Sequence, residues 1–238
     1  MLRPLFEEAS MTNATTRVEF ETKTGKKTSG ELALPAGDGK AGAVVLIQEW
    51  WGVNDHIRSL VTRLAAEGFL VLAPDLYHGK VTKDPEEAGK LMNALDWGRA
   101  LEDIEAAATY LGDHPRCDGR VGVMGFCMGG ALTFKSAETI SDFRCAVPFY
   151  GIPPVDQYNV AKVRAPIMAH FSRTDPWAKP ANAEHVMKAL NARGGSMELF
   201  VYDAEHAFAN DTRPEVYSPD NAKLAWERSV KFLHTHLD

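Results

Sequence analysis

Short apolar runs alternate along the chain with longer segments that carry one apolar face. Arg17 to Glu21 and Gly30 to Leu34 read as an antiparallel pair of strands, and Ala43 to Ile47 opens a series of buried runs. That series continues at Arg120 to Met124, Arg144 to Pro148 and Ala165 to Phe171, and ends at the alternating run Met197 to Tyr202. Runs that are apolar at successive positions are expected of strands covered on both faces, as in a mainly parallel sheet. Helical patterns fall at Asp55 to Glu67, Pro85 to Asp96, Gly98 to Gly112, Met128 to Glu138, Pro180 to Asn191 and Asn221 to Leu237. The first and last show the best apolar faces. Strand and helix in alternation predict an α/β fold, a mainly parallel sheet with helices on both faces. Pro35 to Gly42, with one proline and three glycines, is a turn between strands and not a domain boundary. No repeat or low-complexity tract interrupts the pattern.

Composition narrows the class. A chain of 238 residues, 45% hydrophobic and 24% charged, suits one globular domain that buries roughly 70% of its unfolded surface. No apolar run approaches the ~20 residues needed to span a bilayer. The formal charge of −6, with no basic cluster, argues against nucleic acid or an anionic membrane as partner. A small-molecule substrate fits better, taken by a monomer or weak homo-oligomer. Cysteine is scarce: Cys117, Cys127 and Cys145 are odd in number and show neither CxxC nor zinc-site spacing, so no metal or cofactor is called for. A reducing cytoplasm is the expected setting. Cys145 lies in an apolar strand and reads as core, whereas Cys117 reads as a loop thiol open to oxidation. The first residues, with two glutamates and no apolar stretch, make a poor signal peptide. Residues 1–11 are expected to be a disordered extension, with Met11 a second candidate start.

The strongest local signal is Gly125-Phe126-Cys127-Met128-Gly129-Gly130, between the apolar run ending at Met124 and the helical segment from Ala131. Glycines on both sides of a cysteine, at a strand-to-helix junction, are what a nucleophile elbow requires, because the turn leaves no space for flanking side chains. With 19 glycines and 3 cysteines in 238 residues, chance produces Gly-x-Cys-x-Gly only about 0.02 times. A buried structural cysteine in a glycine-rich turn is the competing interpretation.

Partners decide between the two. An activated nucleophile of this kind is followed in the chain by an acid and then a histidine, each on a loop after a later strand. Asp175 sits in Ser172-Arg-Thr-Asp175-Pro176, directly after a buried run, and His206 sits in Asp203-Ala-Glu-His206, directly after the next. Asp175 alone could be a turn former, since Asp-Pro pairs favour turns. His56, His78, His114, His170, His185, His234 and His236 occupy less suitable places, the last two closing a helix whose dipole favours a positive end. A thiol is only a few per cent thiolate near neutrality, so His206 would activate Cys127 and Asp175 would orient the imidazole. The oxyanion formed on attack needs two donors: the backbone N–H of Met128, heading the helix, and one from an earlier loop.

That loop is Gln48-Glu49-Trp50-Trp51-Gly52. Together with Ala73-Pro74-Asp75-Leu76-Tyr77, the elbow itself, Phe149-Tyr150-Gly151 and His206-Ala207-Phe208, it makes the chain resemble the dienelactone hydrolase family of α/β-hydrolases. The resemblance spans most of the chain and implies a single α/β-hydrolase domain over residues 12–238. It implies Cys127, Asp175 and His206 as the triad and the backbone N–H of Trp50 as the second oxyanion donor. It also implies a fourth catalytic residue, Glu49, which in the family contacts the cysteine and takes its proton when substrate arrives. Read by itself, Glu49 could be a solvated loop carboxylate, but its place between a strand end and two tryptophans favours desolvation.

Departures from the family pattern concern the substrate. The name-giving member grips a substrate carboxylate with two arginines, and the matching positions here are Gly79 and Asn210. Neither offers a forked, charged donor. Lys80, Arg173 and Arg213 are near in sequence, though each reads equally as a solvated loop charge. Trp50, Trp51, Tyr77, Tyr150 and Phe208 all fall in loops expected around the site, and with Asn210 they outline a pocket for a small ester or lactone. Two functions are therefore compared: cysteine-dependent hydrolysis through an acyl-enzyme, and a thiol sensor or ligand-binding protein on the same fold. Keeping Glu49, Asp175 and His206 favours hydrolysis, since a sensor gains nothing from an oriented histidine.

Overall fold

The computed structural model describes residues 14–238, so the expected 1–11 extension lies outside the described residues. Its eight strands form one sheet in the order β1-β2-β4-β3-β5-β6-β7-β8. β1 (Thr16–Glu21) and β2 (Lys27–Ala33) are the antiparallel edge, β2 pairing antiparallel with β4 (Leu70–Pro74). From β4 onward the pairing is parallel, through β3 (Ala41–Ile47), β5 (Cys117–Phe126), β6 (Phe143–Phe149), β7 (Ile167–Ser172) and β8 (Met197–Tyr202). The helices are α1 (Asp55–Ala66), α2 (Pro85–Ala94), α3 (Trp97–Gly112), α4 (Met128–Thr139), α5 (Pro180–Ala192) and α6 (Pro219–Leu237).

Alternation along the central strands builds two cores at once. Ala43, Val45 and Ile47 of β3 join Leu70 and Leu72 of β4 on the face covered by α3, α4 and α5. Val44 and Leu46 join Val71 and Ala73 on the face covered by α1 and α6. A strand whose every residue is buried must therefore be apolar throughout, which is why the sequence runs lack a polar stripe. Helix starts are marked locally: the side chains of Asn54, Asp84 and Asp96 accept hydrogen bonds from first-turn N–H groups of α1, α2 and α3, as N-caps do.

Register sets the functional edge. Ile47 of β3 lies beside Gly125 of β5, Phe126 beside Phe149 of β6, Phe149 beside His170 of β7, and Ser172 beside Tyr202 of β8. The carboxyl ends of five neighbouring strands are thus level, and the loops leaving them carry Glu49, Cys127, Tyr150, Asp175 and His206. Beneath this edge a buried polar line ties α6 to the sheet. His170 accepts or donates at Nδ1 with the Tyr202 hydroxyl (2.9 Å) and at Nε2 with the Ser229 hydroxyl (3.0 Å), stacked on Phe149 with ring centroids 4.5 Å apart. Burial and the nearby Arg228 lower His170 to about 3, so the ring is a neutral strut.

One expectation is corrected. Cys117 is not an exposed loop thiol: it is the first residue of β5, 3% exposed, and burial raises its pKa. Cys145 is core as expected, fully buried and pushed up to about 12.

The elbow depends on close backbone approach. A Cβ at Gly129, in the first turn of α4, would stand 2.5 Å from both Ile47 O and Gln48 O at the end of β3. Gly129→Ala should therefore cost about 3 kcal/mol of stability, at or above the usual range for overpacking because the atoms struck are backbone. Urea unfolding checks it, and an unchanged midpoint would mean that α4 can move off β3.

Candidate active site

Cys127 leaves β5 with φ 56° and ψ −117°, a left-handed conformation that an L-residue adopts only when its surroundings impose it. What imposes it are hydrogen bonds on either side: Cys127 N–H donates to Phe149 O at 3.0 Å, and Cys127 O accepts from the N–H groups of Gly130 (2.9 Å) and Ala131 (3.2 Å). The side chain is then lifted off the sheet edge and only partly buried.

His206 Nε2 lies 3.2 Å from Cys127 Sγ, and His206 Nδ1 lies 2.7 Å from Asp175 Oδ2. Asp175 is itself held firmly. Its Oδ1 accepts from the N–H groups of Trp177 (2.9 Å) and Ala178 (2.8 Å), and its Oδ2 also accepts from the Ser172 hydroxyl at 3.3 Å. Burial would push this carboxyl up, but the bonds from His206 and the two N–H groups hold it below its ordinary value. For His206, burial disfavours charge, yet the hydrogen bonds to Asp175 and Cys127 outweigh it and raise the ring from 6.5 to about 10. Sulfur, imidazole and carboxylate thus form one hydrogen-bonded line with a strong hold on a proton.

Glu49 is 2% exposed, so it is no solvated loop carboxylate. Its Oε2 accepts from Asn210 Nδ2 at 2.7 Å and its Oε1 from the Tyr150 hydroxyl at 3.4 Å. The family resemblance implies contact with the cysteine. Among the described residues, however, Glu49 bonds to these two neutral donors while the sulfur bonds to His206. Asn210 is 1% exposed, and meets the site through Glu49 and not as open pocket wall. Its amide oxygen is used too, accepting from Thr212 N–H (3.0 Å) and the Thr212 hydroxyl (2.6 Å).

The expected aromatic residues divide by exposure. Phe208 and Tyr150 are fully buried, and Trp51 and Tyr77 nearly so. Burial, Glu49 and Cys127 raise the Tyr150 phenol well above its ordinary value, while Arg213 opposes them. The Tyr77 hydroxyl donates to the Met128 sulfur at 3.3 Å, and burial with Cys127 nearby raises it as well. Trp50 is partly exposed and packs edge-on against Trp51. Among the described residues no loop or turn backbone carbonyl accepts from the N–H groups of Met128 and Trp50, the expected oxyanion donors. Of the three cations near in sequence, Arg213 has its guanidinium over the Trp51 ring, 5.9 Å from the centroid, while Nε donates to Glu215 Oε1 at 2.8 Å. Arg173 faces Asp203 at 3.9 Å and is mostly exposed.

Sequence reasoning missed three supporting residues. Gln48 is fully buried and its Oε1 accepts from Leu76 N–H at 3.2 Å, joining the loop after β3 to the loop after β4. Ser172 braces Asp175. Trp177, two residues beyond Asp175, is 75% exposed and packs T-shaped with His206, ring centroids 5.1 Å apart. An aromatic so close after the acid, on a strand-end loop, was the available signal for it.

Comparison with known proteins follows this geometry. The profile described as the dienelactone hydrolase family matches residues 29–237. A carboxymethylenebutenolidase of Pseudomonas sp. (strain P51) is 32% identical over 227 residues, 91% of this chain and 93% of that protein. Protein usf of Aquifex pyrophilus is 34% identical over 234 residues, 92% and 98% of the two chains. Among solved structures, one from Klebsiella pneumoniae subsp. pneumoniae MGH 78578, assigned there as a dienelactone hydrolase, superposes with a TM-score of 0.80 at 28% identity, covering 92% of this chain and 98% of that one. The sheet and helices are those of an α/β-hydrolase, and no helix among the described residues is long and apolar enough to cross a membrane.

The raised value of His206 has a testable sign. A group held at about 10 in the fold against 6.5 when free contributes stability that is whole below pH 6.5 and lost as the pH climbs through 10. Asp175→Asn removes the acceptor that helps raise it. The stability advantage of the wild type over Asp175→Asn in urea should therefore shrink between pH 6.5 and 10; a constant gap would assign the shift to another partner.

Proposed function

The chain belongs to the dienelactone hydrolase family, and on that premise we propose that it opens a small lactone or ester through an acyl-enzyme on Cys127. That it is a lactone or ester hydrolase follows from the family; the roles of individual side chains are the proposal. The observation that carries them is the line from Cys127 Sγ through His206 to Asp175, with contacts of 3.2 and 2.7 Å, erected on a strained elbow.

With the proton held on His206 Nε2, as its raised value favours, the sulfur attacks the substrate carbonyl as a thiolate, forming a C–S bond while the carbonyl π electrons move onto oxygen. The N–H groups of Met128 and Trp50 receive that oxyanion, and the first of them heads α4, whose dipole favours negative charge. As the intermediate collapses, the C–O bond to the leaving oxygen breaks and the imidazolium gives that oxygen its proton. Water, deprotonated by the same nitrogen, then attacks the thioester; the carboxylic acid departs and the thiolate recovers its proton. Asp175 fixes the tautomer with Nδ1–H towards it and stabilises the charged ring. Glu49 adds a buried negative group that reaches the sulfur's surroundings through Tyr150 and is kept in place by Asn210.

The substrate is small and neutral, or carries an acid group gripped differently from the name-giving member. Gly79 and Asn210 cannot supply its two arginines, and Asn210 is already engaged by Glu49 and Thr212. Arg213, above Trp51, is the cation best placed to meet an anionic substrate.

Two measurements test this reading. Cys127→Ala should lower turnover of p-nitrophenyl esters and of dienelactone by at least about 10³-fold, as loss of a nucleophile does; near-normal turnover would remove Cys127 from the chemistry. Glu49→Gln should lower kcat by about ten- to a hundredfold, because it removes a buried negative group beside the nucleophile while keeping its shape. A Glu49→Gln enzyme with wild-type kcat would make the carboxylate a structural group only.

A further inference from the structure

Resting on that reading, in which His206 hands a proton to the departing oxygen, the geometry points to Trp177 as the residue that selects the alcohol side of the substrate. We infer that its indole is a platform for a flat, unsaturated leaving group, as in an aryl or enol ester.

The leaving oxygen must come within hydrogen-bond reach of His206 Nε2 at the moment the C–O bond breaks. Whatever is attached to it therefore passes along the walls that flank the imidazole. Two aromatic rings do so: Tyr150, with centroids 5.2 Å apart and planes at 63°, and Trp177, at 5.1 Å and 72°. Tyr150 is fully buried, with its hydroxyl spent on Glu49, and has no face to offer. Trp177 touches the same imidazole and is 75% exposed.

Single exposed apolar side chains are common and carry no message on their own. Trp177 differs in how it is fastened. Its backbone N–H donates to Asp175 Oδ1 at 2.9 Å, the other oxygen of the carboxylate that holds His206. The base of the indole is thereby pinned to the residue that orients the ring beside it, and little freedom of the backbone remains to be lost when a ligand covers the open face. An aromatic partner on that face gains offset or edge contacts that an alkyl group cannot supply. It would also shield His206 from water while the proton is transferred.

The test keeps the acyl group constant and varies the alcohol. Wild type, Trp177→Ala and Trp177→Phe are compared on 2-naphthyl acetate, phenyl acetate and ethyl acetate. The kcat/KM ratio of naphthyl to ethyl ester should fall about five- to tenfold in Trp177→Ala, the size of one aromatic pair, with most of it restored by phenylalanine. A ring that only steadied the loop would lower all three rates together, and an unchanged ratio overturns the inference. Binding is measured separately on a Cys127→Ala background, with and without Trp177→Ala, from the fluorescence anisotropy of 2-naphthol. Weaker binding without the indole supports the platform even where the wild type hydrolyses none of the esters, an outcome that would count against the proposed chemistry alone. Equal naphthol affinity with and without the indole overturns the platform whatever the turnover.

Discussion

Everything at the sheet edge depends on one steric condition: a cysteine held at φ 56° where β5 becomes α4. The condition can be met only if no neighbour has a side chain in the way. Gly129 allows α4 to begin against the last carbonyls of β3, and Gly151 allows the loop after β6 to pass under Cys127. That closeness has a second effect. By bringing the end of β3 to the head of α4, it makes neighbours of the loop that carries Glu49 and the turn that carries Cys127.

Much of this was legible in the chain, for reasons that differ by element. Strands buried on both faces are apolar at every position, and helices between them carry caps and one-sided faces, so the helix ranges and every strand but β4 (Leu70–Pro74) were recoverable. The order Cys127, Asp175, His206 was legible because each follows a strand, and parallel strands deliver their carboxyl ends to one edge. What could not be read were contacts between groups distant in sequence. Glu49 and Asn210 are 161 residues apart, and nothing local in either loop announces that the amide is committed to the carboxylate. Cys117 looked like a loop residue because Pro115 and Gly119 surround it, whereas pairing of Ala41 with Cys117 extends β5 back that far.

Glu49 is a charge held by dipoles. A buried carboxylate must be satisfied by hydrogen bonds or by an opposite charge. Here two neutral donors, an amide and a phenol, hold it. Neutral donors orient the group without cancelling its charge, so its field reaches the surroundings.

Four residues other than glycine take positive φ among those described: His78, Cys127, Tyr150 and Ala207. All four stand in loops that leave the carboxyl ends of strands, and each is, or adjoins, a group of the site: His78 follows Tyr77 and Ala207 follows His206. Each such conformation stores about 1 to 3 kcal/mol, and the two cores beneath supply the rigidity that keeps it from relaxing. For a lineage under selection for heat resistance, these backbone angles are the most accessible reserve, because glycine at any one of them would release the stored energy. The same exchange would free the aim of the neighbouring side chain. Adaptation to temperature and retention of chemistry are therefore opposed at a handful of dihedral angles.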